Sequence, residues 1–186
     1  MAIISPENKK LVKELTAKVK VLQEELVVAQ KAAGVDAYIE VKVVDKRASA
    51  ARIKVEDGPD KGFGQFRLEL LITAKTEDVY IPLSIASGAK TAGFMYMIEG
   101  TAPGSIKTAE VKCKGEGVTQ VAVGTLLFAK IPATHSATLV IAIEIRGKIA
   151  ETYGVIISRI NYKTSLTNAR YQQYLKPLLS KTVELR

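Results

Sequence analysis

Gly64-Gln65-Phe66-Arg67-Leu68-Glu69-Leu70-Leu71-Ile72-Thr73-Ala74 decides how this chain folds. Phe66, Leu68, Leu70 and Ile72 fall on one side of an extended backbone, and Arg67 and Glu69 fall on the other. A period of two marks a strand half-buried in a sheet, because successive side chains leave opposite faces. Ala137–Arg146 repeats the pattern, with Leu139, Ile141, Ile143 and Ile145 as an inward row.

Working outward, Ala37, Ile39, Val41 and Val43 alternate with Tyr38, Glu40, Lys42 and Val44. A second run from Arg52 to Val55 ends in Glu56-Asp57-Gly58-Pro59-Asp60-Lys61-Gly62, a dense turn signal. Val79 to Ile85 contains Pro82, which suits a sheet edge or a break. Phe94–Ile98, Ile106–Cys113, Val118–Ala129 and Tyr153–Tyr162 are further strand candidates. Residues 147–151 suit a hairpin joining the strand at 137–146 to the one at 153–162. Tyr171–Leu175 stops before Pro177, and Thr182-Val183-Glu184-Leu185 can close a sheet. Eight or nine short strands with turns between them predict a mainly β chain over 35–186. The expected form is a single antiparallel β-sandwich with Ig-like or jelly-roll wiring.

Residues 1–34 read differently. Ser5-Pro6-Glu7 supplies a hydroxyl N-cap, a first-turn Pro and a carboxylate at the positive end of the helix dipole, and Gly34 supplies a stop. Val12, Leu15, Val19, Leu22, Leu26, Ala29 and Ala33 step by 3, 4, 3, 4, 3 and 4, a heptad seam. The expectation is one long amphipathic helix, a rod of roughly 40 Å, for assembly. Leu11, Val21, Val27 and Val28 lie off the seam and widen the apolar arc, so the helix asks for more than one neighbour. That neighbour is either the β-domain of the same chain or other copies.

The 186 residues carry a net charge of +8. Residues 1–34 hold six Lys against four Glu, so +6 of that charge belongs to the β-domain, spread without a basic run longer than two. A diffuse charge of this kind suits a solvated surface or an anionic polymer such as wall polysaccharide. Nucleic acid is not the expected partner: the basic and aromatic residues mix only at Arg159, Tyr162, Lys163, Arg170, Tyr171, Tyr174 and Lys176. The single cysteine, Cys113, rules out an internal disulfide. No apolar stretch reaches the roughly 18 residues needed to span a bilayer. Met1 to Glu7 shows no basic segment followed by an apolar one, as expected of a cytosolic start or of a form whose signal has been removed.

No catalytic set emerges. His135 is the only histidine, in Ala133-Thr134-His135-Ser136, and lacks the companions that a zinc site or a Ser-His-Asp triad requires. Cys113 alternates within a strand and reads as a small apolar group. Gly104-Ser105-Ile106-Lys107-Thr108 resembles a phosphate loop but lacks the upstream glycine and the following helix. Glu56, Asp57, Asp60, Glu77 and Asp78 sit in turns. Asp57 and Asp60 are the calcium candidates, although their run does not match an EF-hand loop. No cofactor is expected.

Gly64-x-Phe66-x-Leu68-x-Leu70-x-Ile72-Thr73-Ala74, followed by Asp78-Val79-Tyr80-Ile81-Pro82, resembles a segment of secreted β-domain proteins from small-genome candidate-phyla bacteria (Patescibacteria). Ala137-Thr138-Leu139 and Tyr153-Gly154-Val155-x-Ile157-x-x-Ile160-Asn161-Tyr162 are similar to that group's closing strands. The resemblance covers residues 64–186 and implies a secreted or cell-surface setting without a catalytic activity. Together these readings predict a non-enzymatic extracellular structural protein that self-assembles through its helix into a surface layer or filament, as a homo-oligomer or polymer. A module binding wall glycan or another anionic polymer is the alternative, and a viral or phage structural subunit is a third.

Overall fold

The computed structural model describes residues 38–53, 61–89, 91–100, 105–115, 117–147 and 149–185. All of them belong to one unit, Tyr38–Arg186. The expected helix lies outside the described residues, with its seam (Val12, Leu15, Val19, Leu22, Leu26, Ala29) and its off-seam Val21, Val27 and Val28. So do Asp57 and Asp60.

The described chain is mainly β. Its strands are β1 (Ile39–Ile53), β2 (Lys61–Ala74), β3 (Val79–Pro82), β4 (Ile85–Ala86), β5 (Phe94–Gly100), β6 (Ser105–Lys114) and β7 (Thr119–Val123). They continue with β8 (Leu126–Ile131), β9 (Ser136–Gly147), β10 (Thr152–Tyr162), β11 (Gln172–Tyr174), β12 (Leu178–Leu179) and β13 (Val183–Glu184). One sheet has the order β1-β2-β9-β6. A second runs β11-β10-β5-β4, with β12 and β13 also pairing with β10, and a third runs β3-β8-β7. Tyr80 and Lys163 exchange backbone hydrogen bonds of 2.8 and 2.9 Å, which joins the last two sheets into one opposing layer. All pairs are antiparallel except β4 with β5. The pairs β2·β9 and β3·β8 are nested, since each joins strands distant in sequence around the same central segment.

The alternating stretch sets the register. Phe66, Leu68, Leu70 and Ile72 lie opposite Ile143, Ile141, Leu139 and Ala137, and all eight are at most 1% exposed. Across from them, Phe94, Val155, Ile157 and Ile160 from the opposing layer join the same apolar cluster, a β-sandwich-like core. Each large side chain removed from water here contributes about 1.5–3 kcal/mol.

Three expectations change. The alternating run from Ile39 and the run beginning at Arg52 are not separate strands: β1 runs unbroken from Ile39 to Ile53, with a bulge between Val43 and Asp45. Its inward positions past the bulge are Lys46, Ala48 and Ala50, opposite Leu68, Phe66 and Gly64, too weakly apolar to show alternation. Val118–Ala129 is not one strand but a hairpin, β7 and β8, folded at Gly124-Thr125. Gly124 has φ 60°, the left-handed value that a two-residue type II′ loop demands of its first central residue. Finally, β9 and β10 do not pair. Strand β9 is already flanked by β2 and β6, and β10, which begins at Thr152, lies in the other layer.

The opposing layer relies on close fits. Tyr153, fully buried, fits between two glycines: a Cβ on Gly147 would lie 2.5 Å from its ring, and one on Gly100 2.7 Å. A Cβ on Gly93 would lie 1.8 Å from the Pro82 carbonyl oxygen. Asn161, the buried polar residue at the end of β10, donates from Nδ2 to the Ala92 carbonyl at 2.5 Å, and its backbone N–H donates to Gly93 O at 2.7 Å. Its Oδ1 finds no partner among the described residues.

Candidate functional site

Cys113 and His135 occupy different surroundings. Cys113 lies opposite Leu139 and packs half-buried against the core, where desolvation pushes its thiol pKa up, the reverse of an activated nucleophile. His135 is exposed, with Nδ1 2.9 Å from the Ala133 carbonyl of its own turn. Asp78 shapes that turn: Lys130 Nζ lies 2.7 Å from Oδ2 and the Ala133 N–H donates to Oδ1 at 3.0 Å. These contacts, the Lys130 hydrogen bond foremost, hold the Asp78 carboxyl below its usual range. Among the described residues no group of three or more His, Cys, Asp and Glu converges on a point that could hold a metal.

Most of the tyrosines of the basic and aromatic tail are consumed by packing. Tyr162 is 1% exposed and meets Tyr38 edge to face at 6.4 Å, and Tyr174 is buried. Tyr171 lies under Lys163, whose Nζ is 4.7 Å from the ring centre. Arg159 turns its guanidinium onto the Met95 sulfur, with Nε at 3.0 Å. The stacking surface that the tail suggested is therefore largely closed.

The surfaces that remain open were not singled out in the sequence. On the outer face of the first sheet, rows of side chains cross four strands. Ser49, Gln65, Glu144 and Thr108 form one row, and Arg47, Arg67, Ala142 and Glu110 the next. Glu144 accepts from Gln65 Nε2 at 3.0 Å and from Thr108 Oγ1 at 2.8 Å, which lowers its pKa, the Thr108 bond most. Arg47, Arg67, Lys181, Gln65 and Glu144 line a groove of about 640 Å³ here, within the size range of ligand clefts. Two of its cations are already matched, Arg47 Nε by Asp45 at 2.5 Å and Arg67 Nη2 by Glu69 at 3.5 Å. The polar half of the alternation in β2 signalled these residues, but not which strands would flank them.

The outer face of the second sheet carries an apolar row, with Glu99 and Arg159 in the rows on either side. Met97, Ile156 and Leu179 stand side by side on β5, β10 and β12, with Met97 52% and Leu179 47% exposed. The unbroken run Val155-Ile156-Ile157 carried that signal, since a strand with one wet face alternates. Among the described residues no helix is long and apolar enough to cross a membrane. Comparison with known proteins finds no matching family model, no similar curated protein and no similar solved structure.

Proposed function

We propose that this chain is a non-enzymatic structural subunit of the cell surface that self-assembles, as part of a layer or filament, with its N-terminal helix as the main joint. The observation that carries the reading is the Met97–Ile156–Leu179 row, an apolar surface on a strand face that would otherwise be polar. The heptad seam of residues 12–33 adds a second, independent reason to associate. The resemblance to secreted β-domain proteins supplies the extracellular setting, and the nested pairs β2·β9 and β3·β8 favour jelly-roll over Ig-like wiring. The same wiring keeps a viral or phage subunit as a minor variant of this reading.

Light scattering and negative-stain microscopy of the full chain test it. Wild type is expected to form oligomers or polymers, and Leu15→Glu with Leu22→Glu to reduce them to small species. A wild-type chain that stays monomeric at high concentration overturns the proposal. The groove beside Arg47, Arg67 and Lys181 favours a second reading, binding of wall glycan or another anionic polymer. Retention on cell-wall material that falls with added salt and with Arg67→Ala would favour it over assembly.

A further inference from the structure

A sheet edge is a row of unpaired backbone groups, and proteins blunt such edges with charge, bulges or brevity. Three longer strands lie at edges among the described residues: β1, β6 and β7. Edge strand β1 carries Lys42, Lys46 and Arg47 and a bulge after Val43. Edge strand β6 carries Lys107, Lys112 and Lys114 and a bulge after Ile106. The remaining edge strands, β3, β4, β11, β12 and β13, are two to four residues long, and β5, flanked by β4 only at Phe94 and Met95, carries Glu99 on its open part. Strand β7 has none of these protections: Thr119-Gln120-Val121-Ala122-Val123 is uncharged, free of proline and in unbroken register with β8.

Its hairpin also overhangs the core. Gln120 and Ala122 lie opposite Ala129 and Leu127 on the core-facing side, yet both are exposed. Leu127 on that face is 41% exposed, and Val123 on the other is 44% exposed. The two-residue loop makes Val123–Leu126 a hydrogen-bonded pair, so along β7 the N–H and C=O groups of Gln120 and Ala122 point away from β8.

We propose that the free edge of β7 pairs antiparallel with β7 of a second copy of this chain, about a two-fold axis at Val121. A second copy fits because the sequence is self-complementary there. Gln120 of one copy meets Ala122 of the other, twice, and the four outward groups of each copy are satisfied in four hydrogen bonds. Val123 meets Thr119, a β-branched pair, and no charge opposes a like charge. The product is a continuous sheet, β3-β8-β7-β7-β8-β3, closed by symmetry. The contact deepens the assembly reading and rests on it for its partner, adding a joint distinct from the helix.

The test is disulfide trapping in the full-length chain with Cys113→Ser. Across the two-fold, the Cα atoms of residue 121 would stand about 4.5 Å apart, within disulfide reach, whereas those of residue 119 would be more than 10 Å apart. Val121→Cys is expected to give a covalent dimer on mild oxidation and Thr119→Cys to give little. Equal trapping at both positions, or none at 121, overturns the pairing. Ala122→Pro removes an outward N–H and leaves the β8 ladder intact, so it should weaken dimerisation on the order of tenfold or more without lowering the melting temperature appreciably. Unchanged association of that variant also overturns it. Carrying Leu15→Glu and Leu22→Glu alongside separates the two joints: trapping at 121 that survives them supports the strand contact even where the helix reading fails. Trapping lost there shows that the edge does not pair by itself and overturns the independent joint. Binding of a foreign peptide with no self-association counts against the second copy as occupant.

Discussion

Strands β1, β2, β9 and β6 run 15, 14, 12 and 10 residues, whereas β10 on the opposite side is flanked along one edge by β11, β12 and β13, of three, two and two residues. The long sheet shares its load over many equivalent inward side chains. The other layer depends on particular fits: Gly93 against Pro82, Asn161 on Ala92, Tyr153 between Gly100 and Gly147, and the Ser180 hydroxyl accepting from the Val155 N–H at 2.8 Å. Burial is collective and tolerates loss at one point, while a fit at van der Waals distance does not.

This difference makes substitutions in the patchwork layer larger or more local than those in the long sheet. Gly93→Ala is expected to have the largest effect, more than about 4 kcal/mol, because its Cβ would collide with a backbone oxygen that has nowhere to go. Denaturant melts would show it as a poorly folded or strongly destabilised protein, and a milder effect than that of Leu70→Ala would break the comparison. Leu70→Ala, in the fully buried row of the long sheet, should cost about 2–4 kcal/mol and lower every probe together, as a global two-state loss does.

Asn161→Ala should cost about 1–2 kcal/mol, moderated because its Oδ1 already lacks a partner. Hydrogen exchange should then quicken around residues 92–94 before it does in β2 or β9, and uniform quickening would argue against a locally anchored layer. The smallest effect is electrostatic. The Asp78 carboxyl is held below its ordinary range of about 4, so its contacts with Lys130 and Ala133 stabilise the fold above that range. The contribution is lost as pH falls through the lowered pKa. Asp78 is partly exposed, so Asp78→Asn should lower the melting temperature slightly at neutral pH and converge on wild type as pH falls below that lowered pKa. A gap that persists in acid would mean that Asp78 acts through its shape alone.

The strands legible in advance were those with a strong inward row. β2, β9, β6, β5 and β10 lie close to where alternation placed them, because apolar residues at every second position can be buried in only one way. In the sequence β1 reads as two pieces because Lys46, Ala48 and Ala50 fill its inward positions along an open edge, where little burial is available. The turn within 118–129 is not legible in the sequence because its Gly124-Thr125 signal is brief and apolar residues continue on both sides. Of the open surfaces, the polar rows beside Gln65 and Arg67 and the apolar row at Met97 were visible only as residue types. A row across strands exists once the neighbours are known.

By itself the sequence determined the period, hence the β character, the inward set and most strand positions, because side-chain direction along an extended chain is a local property. Which strands pair was decided only by the tertiary structure. It split β9 and β10 between layers, brought β2 to β9 and β3 to β8, and left β7 at an edge without charge. Those outcomes depend on contacts between residues far apart in the chain, where many pairings bury the same apolar row and only close packing of the whole chooses among them.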